Sequence, residues 1–120
     1  MLRLAVPVLH VASAKAARDF YCGKLGFRVL FEGRADPDRP DPSYVGLARD
    51  DAVLHISSFP GDGVAGGVAF IVVRDVDALS RELTERGVPI DLAPTDQTWG
   101  NREMYVKDPD GNSLRFAEQR

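Results

Sequence analysis

The sequence predicts an α+β fold: a single domain spanning residues 1–120, built from two strand–helix–strand–strand–strand modules, about 1–60 and about 66–120. Three observations predict it. Residues 75–87, DVDALSRELTERG, form a capped, one-faced helix directly after the apolar run GVAFIVV, and a second candidate helix follows LAVPVLHV in the same way. Each helix is succeeded by three short strand-like runs. Superposing Gly26 on Gly87 aligns the helices, and each then follows a strand ending in Val, at Val11 and Val73. Two small sheets, each with one apolar face, would bury that surface by closing around a shared cup.

Taken in order, residues 4–11 read as a strand, with Pro7 requiring an edge or a bend. Ser13 is the N-cap of the first helix, Ala17, Phe20 and Tyr21 form its apolar face, and Gly26 stops it. FRVLFEG (27–33), SYVGLA (43–48) and AVLHISSF (52–59) are strands. The connection RADPDRPDP, 34–42, packs three prolines and three aspartates into nine residues and reads as an exposed, structureless loop. In the second module GVAFIVV (67–73) is a strand. In the helix after it, Asp75 is the cap, Val76, Leu79 and Leu83 recur at i, i+3, i+7, Glu82 pairs with Arg86, and Gly87 ends the element. PIDLA (89–93), REMYVK (102–107) and SLRFAE (113–118) are strands, the last two joined by the turn DPDGN.

Composition excludes several functions. A formal charge of −3 without a Lys/Arg cluster argues against a phosphate-backbone partner, so nucleic acid is not expected. No stretch approaches the ~18 apolar residues of a membrane helix, and LRLAVPVL lacks the layout of an export signal. One cysteine, Cys22, cannot form an internal disulfide; a reduced, cytoplasmic setting and a packing role for Cys22 are expected.

The segments PVL…DFYCGKLGFRV, VGLARDDAVLHIS and WGNREMYVKDPDGNSLRF together resemble the vicinal oxygen chelate superfamily, which includes glyoxalase I, extradiol dioxygenases, and fosfomycin and bleomycin resistance proteins. The resemblance spans essentially the whole chain and is nearest to the bleomycin resistance branch. It implies paired βαβββ modules forming a cup-shaped mixed sheet, assembled as a homodimer with ligand sites at or near the subunit interface.

Enzymes of this superfamily hold a divalent ion with His and Glu at four strand positions. By motif these fall on Val6, His55, Val68 and Arg115. Two valines offer no donor atom, and a guanidinium has no lone pair to give. His10 lies four residues past the Val6 position, ~13 Å along the strand, and Glu118 lies three past the Arg115 position. No metal and no other cofactor are therefore expected. The chain is read as leaning away from catalysis, and no catalytic residue is assigned.

The resemblance implies sequestration, since bleomycin resistance proteins hold a flat, cationic, metal-chelating glycopeptide between aromatic side chains. Their stacking aromatics fall here on Phe31, Tyr44 and Trp99, the last being the chain's single tryptophan, on a loop where burial is least assured. The expectation is a small-molecule binding protein whose groove is formed by Phe31, Tyr44 and Trp99 with His55, Arg102, Glu103 and Arg115 as polar lining. The ligand is planar aromatic or glycopeptide-like, although the mild net charge and Arg115 suit a cationic ligand poorly. The alternative is a divalent-metal-dependent glyoxalase- or dioxygenase-type enzyme using His55.

Overall fold

The computed structural model describes residues 1–120. Its elements run β1 Val8–His10, α1 Ala14–Gly23, β2 Arg28–Arg34, β3 Ser43–Arg49 and β4 Ala52–Ser57, then β5 Val68–Val72, α2 Val76–Glu85, β6 Leu92–Asp96, β7 Arg102–Lys107 and β8 Ser113–Glu118. The strands form two four-stranded sheets, ordered β1-β4-β3-β2 and β5-β8-β7-β6. In each, the first strand of the module pairs in parallel with the last, and the remaining pairs are antiparallel. This is the predicted two-module α+β architecture. No strand bridges the two sheets. No helix is long and apolar enough to cross a membrane.

Both helices start at the caps that the sequence marks. The Ser13 hydroxyl accepts the Ala16 N–H at 3.2 Å, and the Asp75 carboxylate accepts the Ala78 N–H at 3.0 Å, each relieving one orphan donor of the first turn. Helix α1 ends earlier than Gly26, at Gly23, with Lys24 as its cap. Gly26 instead adopts φ +75°, which turns the chain so that the Phe27 N–H reaches the Tyr21 carbonyl at 2.9 Å. Ala14, Ala17 and Tyr21 of α1 and Val76 and Leu83 of α2 are buried. Together with Leu9, Leu47, Leu54, Ile56, Met104 and Leu114 they belong to one apolar cluster of 19 residues running through both modules. Each fully buried Leu or Ile contributes roughly 1.5–3 kcal/mol.

Three segments differ from expectation. The first strand is only Val8–His10, because Pro7 has no N–H to donate; the ladder begins with its carbonyl, which accepts the His55 N–H at 2.9 Å, and residues 1–5 are exposed. The strand expected at 89–93 lies at Leu92–Asp96. Val88, 5% exposed, closes the end of α2 onto the core first, and pairing starts only where the Asp91 N–H meets the Tyr105 carbonyl at 2.9 Å. Pro94 is tolerated there because β6 is an edge strand with an irregular register around it. The loop 34–42 is exposed over most of its length but is anchored at its end. Asp41 Oδ1 accepts the Ala14 N–H at 3.0 Å and the Ser58 hydroxyl at 2.6 Å.

The two modules are tied together by a polar knot in the core. The buried Tyr21 hydroxyl donates to Asp108 Oδ2 at 2.9 Å, linking α1 to the β7–β8 turn. The burial of Tyr21, with Asp108 beside it, raises its phenol far above the ordinary value. Asp108 Oδ1 also accepts the N–H groups of Asp110 and Asn112, both at 2.9 Å. Asn112, fully buried, accepts the Gly66 and Gly67 N–H groups and donates to the His10 carbonyl and to Asp108. The motifs FYCGKLGF and DPDGN, distant in sequence, are thus in direct contact.

Candidate functional site

One face of each sheet is covered by its helix and the other is open. In the first sheet Val8, His55, Gly46 and Phe31 form one cross-strand row on the open face. The Phe31 ring lies flat over Gly46, where a Cβ would overlap it, so glycine is required by this close approach. The ring meets His55 edge-on at 5.2 Å and stacks beside Tyr44 at 6.1 Å. The Tyr44 hydroxyl and His55 Nδ1 share a hydrogen bond of 2.8 Å. Burial lowers the His55 pKa, favouring the neutral imidazole. Gly46→Ala should push the Phe31 ring outward for about 1 kcal/mol, the low end of overpacking, since Phe31 sits on an exposed edge strand. NMR shifts of the His55 ring protons check it: unchanged shifts would contradict the ring's placement against His55.

On the second sheet the equivalent row is Phe70, Arg115 and Tyr105, and the next is Val72, Ala117 and Glu103. The Arg115 guanidinium sits 4.9 Å from the Tyr105 ring centroid, within cation–π range. Glu103 is only 2% exposed, although it is a carboxylate on an open face. Its Oε2 accepts Trp99 Nε1 at 2.8 Å and Asn101 Nδ2 at 3.2 Å, and its Oε1 accepts the Tyr105 hydroxyl at 2.8 Å. Burial would raise this carboxyl, but the hydrogen bonds from Trp99, Tyr105 and Asn101, helped by the field of Arg115, outweigh burial and hold it below the ordinary carboxylate value. Trp99 itself is 62% exposed. Its ring is therefore a solvent-facing plate, oriented through its N–H rather than by burial.

The expected residues thus gather in two clusters. Phe31, Tyr44 and His55 share one open face; Trp99, Glu103 and Arg115 share the other. No ring pair joins Trp99 to the first cluster within the chain. Arg102 is placed elsewhere. Its guanidinium binds Asp77 of α2 at 3.0–3.3 Å and Asp96 at 3.2 Å, on the helix-covered side. Strand alternation explains this, because Arg102 and Met104 point one way and Glu103 and Tyr105 the other. Tyr105 and Phe70 were missed from the sequence. The same period-2 argument applied to REMYVK finds Tyr105, whereas Phe70 lies in an unbroken apolar run that hides its facing.

The larger cleft of the chain, about 630 Å³, lies away from these residues, between α2, the β3–β4 turn and the end of β5. Its part-buried charges, Arg49 and Glu82, already satisfy each other through two hydrogen bonds of 2.8 Å. The open faces, with exposed aromatic and charged groups side by side, are the better-equipped surface.

A sequence profile of the Glyoxalase/Bleomycin resistance protein/Dioxygenase superfamily matches residues 3–116. The chain belongs to this superfamily. Bleomycin resistance proteins of Geobacillus stearothermophilus and Staphylococcus aureus are 25% identical to it, with 96% of both chains covered. A bleomycin-binding protein from the bleomycin-producing Streptomyces verticillus, solved in complex with copper(II)-bleomycin, is 32% identical, with a TM-score of 0.77 and 100% of both chains covered. A superfamily member from Sphaerobacter thermophilus is 27% identical, with a TM-score of 0.74 and coverage of 99% of this chain and 100% of the other.

For superfamily enzymes the resemblance implies a divalent ion held by β1, β4, β5 and β8. Level with His55 and Arg115 on these strands stand Val8 and Phe70, where motif alignment expected Val6 and Val68. Neither pair adds a donor, and His55 Nδ1 is already engaged by Tyr44. The residues present do not fit a metal at this place. Asp75, Asp77 and Glu118 do bring carboxylate oxygens within 4.8 Å of one another. Each is committed: Asp75 caps α2, Asp77 pairs with Arg102, and Glu118 accepts the Val76 N–H and pairs with Arg120.

Proposed function

We propose that this superfamily member is a non-catalytic, homodimeric sequestration protein for a small molecule with a planar aromatic part, the class that bleomycin represents. The observation that carries the reading is Trp99, exposed yet held by a buried carboxylate. A side chain of that size left in water and fixed in orientation is suited to stacking against a flat partner. Phe31, Tyr44 and His55 form a second aromatic wall. Val8, Val68, Phe70 and Val72, between 43% and 55% exposed, give both open faces an apolar surface that a second copy would cover. Such a dimer would bring the two walls, from different protomers, to the sides of one groove. The solved relative bound to copper(II)-bleomycin supports the ligand class.

The magnitudes suffice without chemistry. A stacking contact is worth ~0.5–1.5 kcal/mol beyond the area it buries, and each ring buries up to ~150–250 Å². Two such contacts plus apolar burial reach the about 8 kcal/mol of micromolar binding.

The test is a fluorescence titration of Trp99 with metal-free bleomycin. The chain has one tryptophan, so the signal has a single source. A saturable quench approaching one ligand per subunit is expected, with binding lost in Trp99→Ala by equilibrium dialysis. Sedimentation should give twice the chain mass of 13.1 kDa. A flat titration would remove the glycopeptide class from the proposal.

A further inference from the structure

We infer that Arg115 makes this groove selective for planar ligands bearing an anionic group, a carboxylate or its equivalent, beside the stacked ring. The inference rests on the groove reading above and narrows its ligand class. Arg115 is exposed near the middle of the second sheet's open face, between Phe70 on one neighbouring strand and Tyr105 on the other. Seven of the chain's twelve arginines form salt bridges; Arg115 is one of the five that form none. The nearest carboxylate on that face, Glu103, feels the field of Arg115 but makes no ion pair with it, its oxygens being taken by Trp99, Asn101 and Tyr105. The Tyr105 ring beneath the guanidinium fixes its position while leaving the N–H fork free.

The geometry therefore provides an aromatic plate and a planar cation on one face, coupled through Glu103 and Tyr105. A guanidinium meets a carboxylate through two parallel N–H···O bonds, which a neutral hydroxyl cannot reproduce and a ligand ammonium opposes. A flat ring stacked on Trp99 with a carboxylate reaching Arg115 satisfies both groups at once. A cationic ligand, bleomycin included, places like charges together and binds this groove less tightly than an anionic one of the same shape.

Calorimetric titration with three naphthalene probes tests this. The probes are 2-naphthoate, 2-naphthalenemethanol and 2-naphthylmethylammonium, which share the ring and differ in charge. Naphthoate should bind roughly 10-fold more tightly than the alcohol, and the ammonium probe most weakly. In Arg115→Gln the ratio of naphthoate to alcohol affinity should fall toward one, while Arg115→Lys keeps part of it. If naphthoate and the alcohol bind the unmodified protein equally, or the ammonium probe binds best, selectivity by Arg115 is overturned and the groove stands. If none of the three binds, the groove reading fails and the selectivity fails with it.

Discussion

Asn112→Asp is expected to cost the folded chain about 3 kcal/mol, one of the largest effects available to a change of so few atoms. The Asn112 side chain is fully buried and every hydrogen-bonding position on it is used. Its Oδ1 accepts two backbone N–H groups, from Gly66 and Gly67, both at 2.9 Å. Its Nδ2 donates to the His10 carbonyl and to Asp108 Oδ2, both at 2.8 Å. The substitution replaces the donor with an acceptor that faces a carbonyl and a carboxylate. Two acceptors lose their partner, and two carboxyl groups meet in a site with no cation to offset them. Urea denaturation at pH 7 should show the midpoint falling by roughly 1–3 M for a chain of this size. The deficit should shrink in mild acid, because a proton shared between the two carboxyls restores a donor. Tyr21→Phe, removing only one bond to the same knot, should cost nearer ~1 kcal/mol. A loss below that for Asn112→Asp would show that the modules are held together elsewhere.

The knot also marks how far the sequence could be read. Local chemistry was legible: Ser13 and Asp75 announce their helices because a cap acts within four residues. The turn DPDGN was legible as a turn, but nothing adjacent in sequence says that Asp108 receives the hydroxyl of Tyr21, 87 positions away. Tyr21 looked like one more apolar face residue. Elements failed where a local signal competed with tertiary demand. Pro7 removed a donor and shortened β1, and Val88 went to the core before pairing could begin, which displaced β6. At the site, the family resemblance pointed to Trp99, Glu103 and Arg115 but set Arg102 beside them, because adjacency in sequence is not adjacency on a strand. The function of Gly46, a floor for the Phe31 ring, lies wholly in tertiary space.

Glu103→Gln should weaken the sheet's hold on Trp99. The wild-type carboxylate is an acceptor on both oxygens and collects three donors, one of them the indole N–H. An amide presents one acceptor and one N–H₂ group. Whichever way it is turned, an N–H₂ faces the Tyr105 hydroxyl or the Trp99 and Asn101 donors. All three bonds lose their charged acceptor: turned toward Trp99 and Asn101 the N–H₂ opposes two donors, and turned toward Tyr105 it makes that hydroxyl reverse from donor to acceptor, for about 2 kcal/mol. The sign of the pH effect follows from the direction of the shift. Because the folded carboxyl is held below its ordinary value, near 4.3 for glutamate, its contribution is fully present above that value. It is lost as pH falls through the lower folded value. Asp77 and Glu82 are lowered by Arg102 and Arg49 in the same way and also contribute to acid lability. The difference in stability between wild type and Glu103→Gln isolates the Glu103 part: it should be constant from pH 7 to about 5 and decline below about 4. Trp99 emission should shift in the variant at neutral pH, and in the wild type only on acidification. Ligand affinity should fall by roughly 10-fold, since the plate must then be ordered on binding rather than beforehand. Wild-type emission and affinity in Glu103→Gln would mean that the exposed indole is positioned by its loop, and the buried carboxylate would lose its role in the groove.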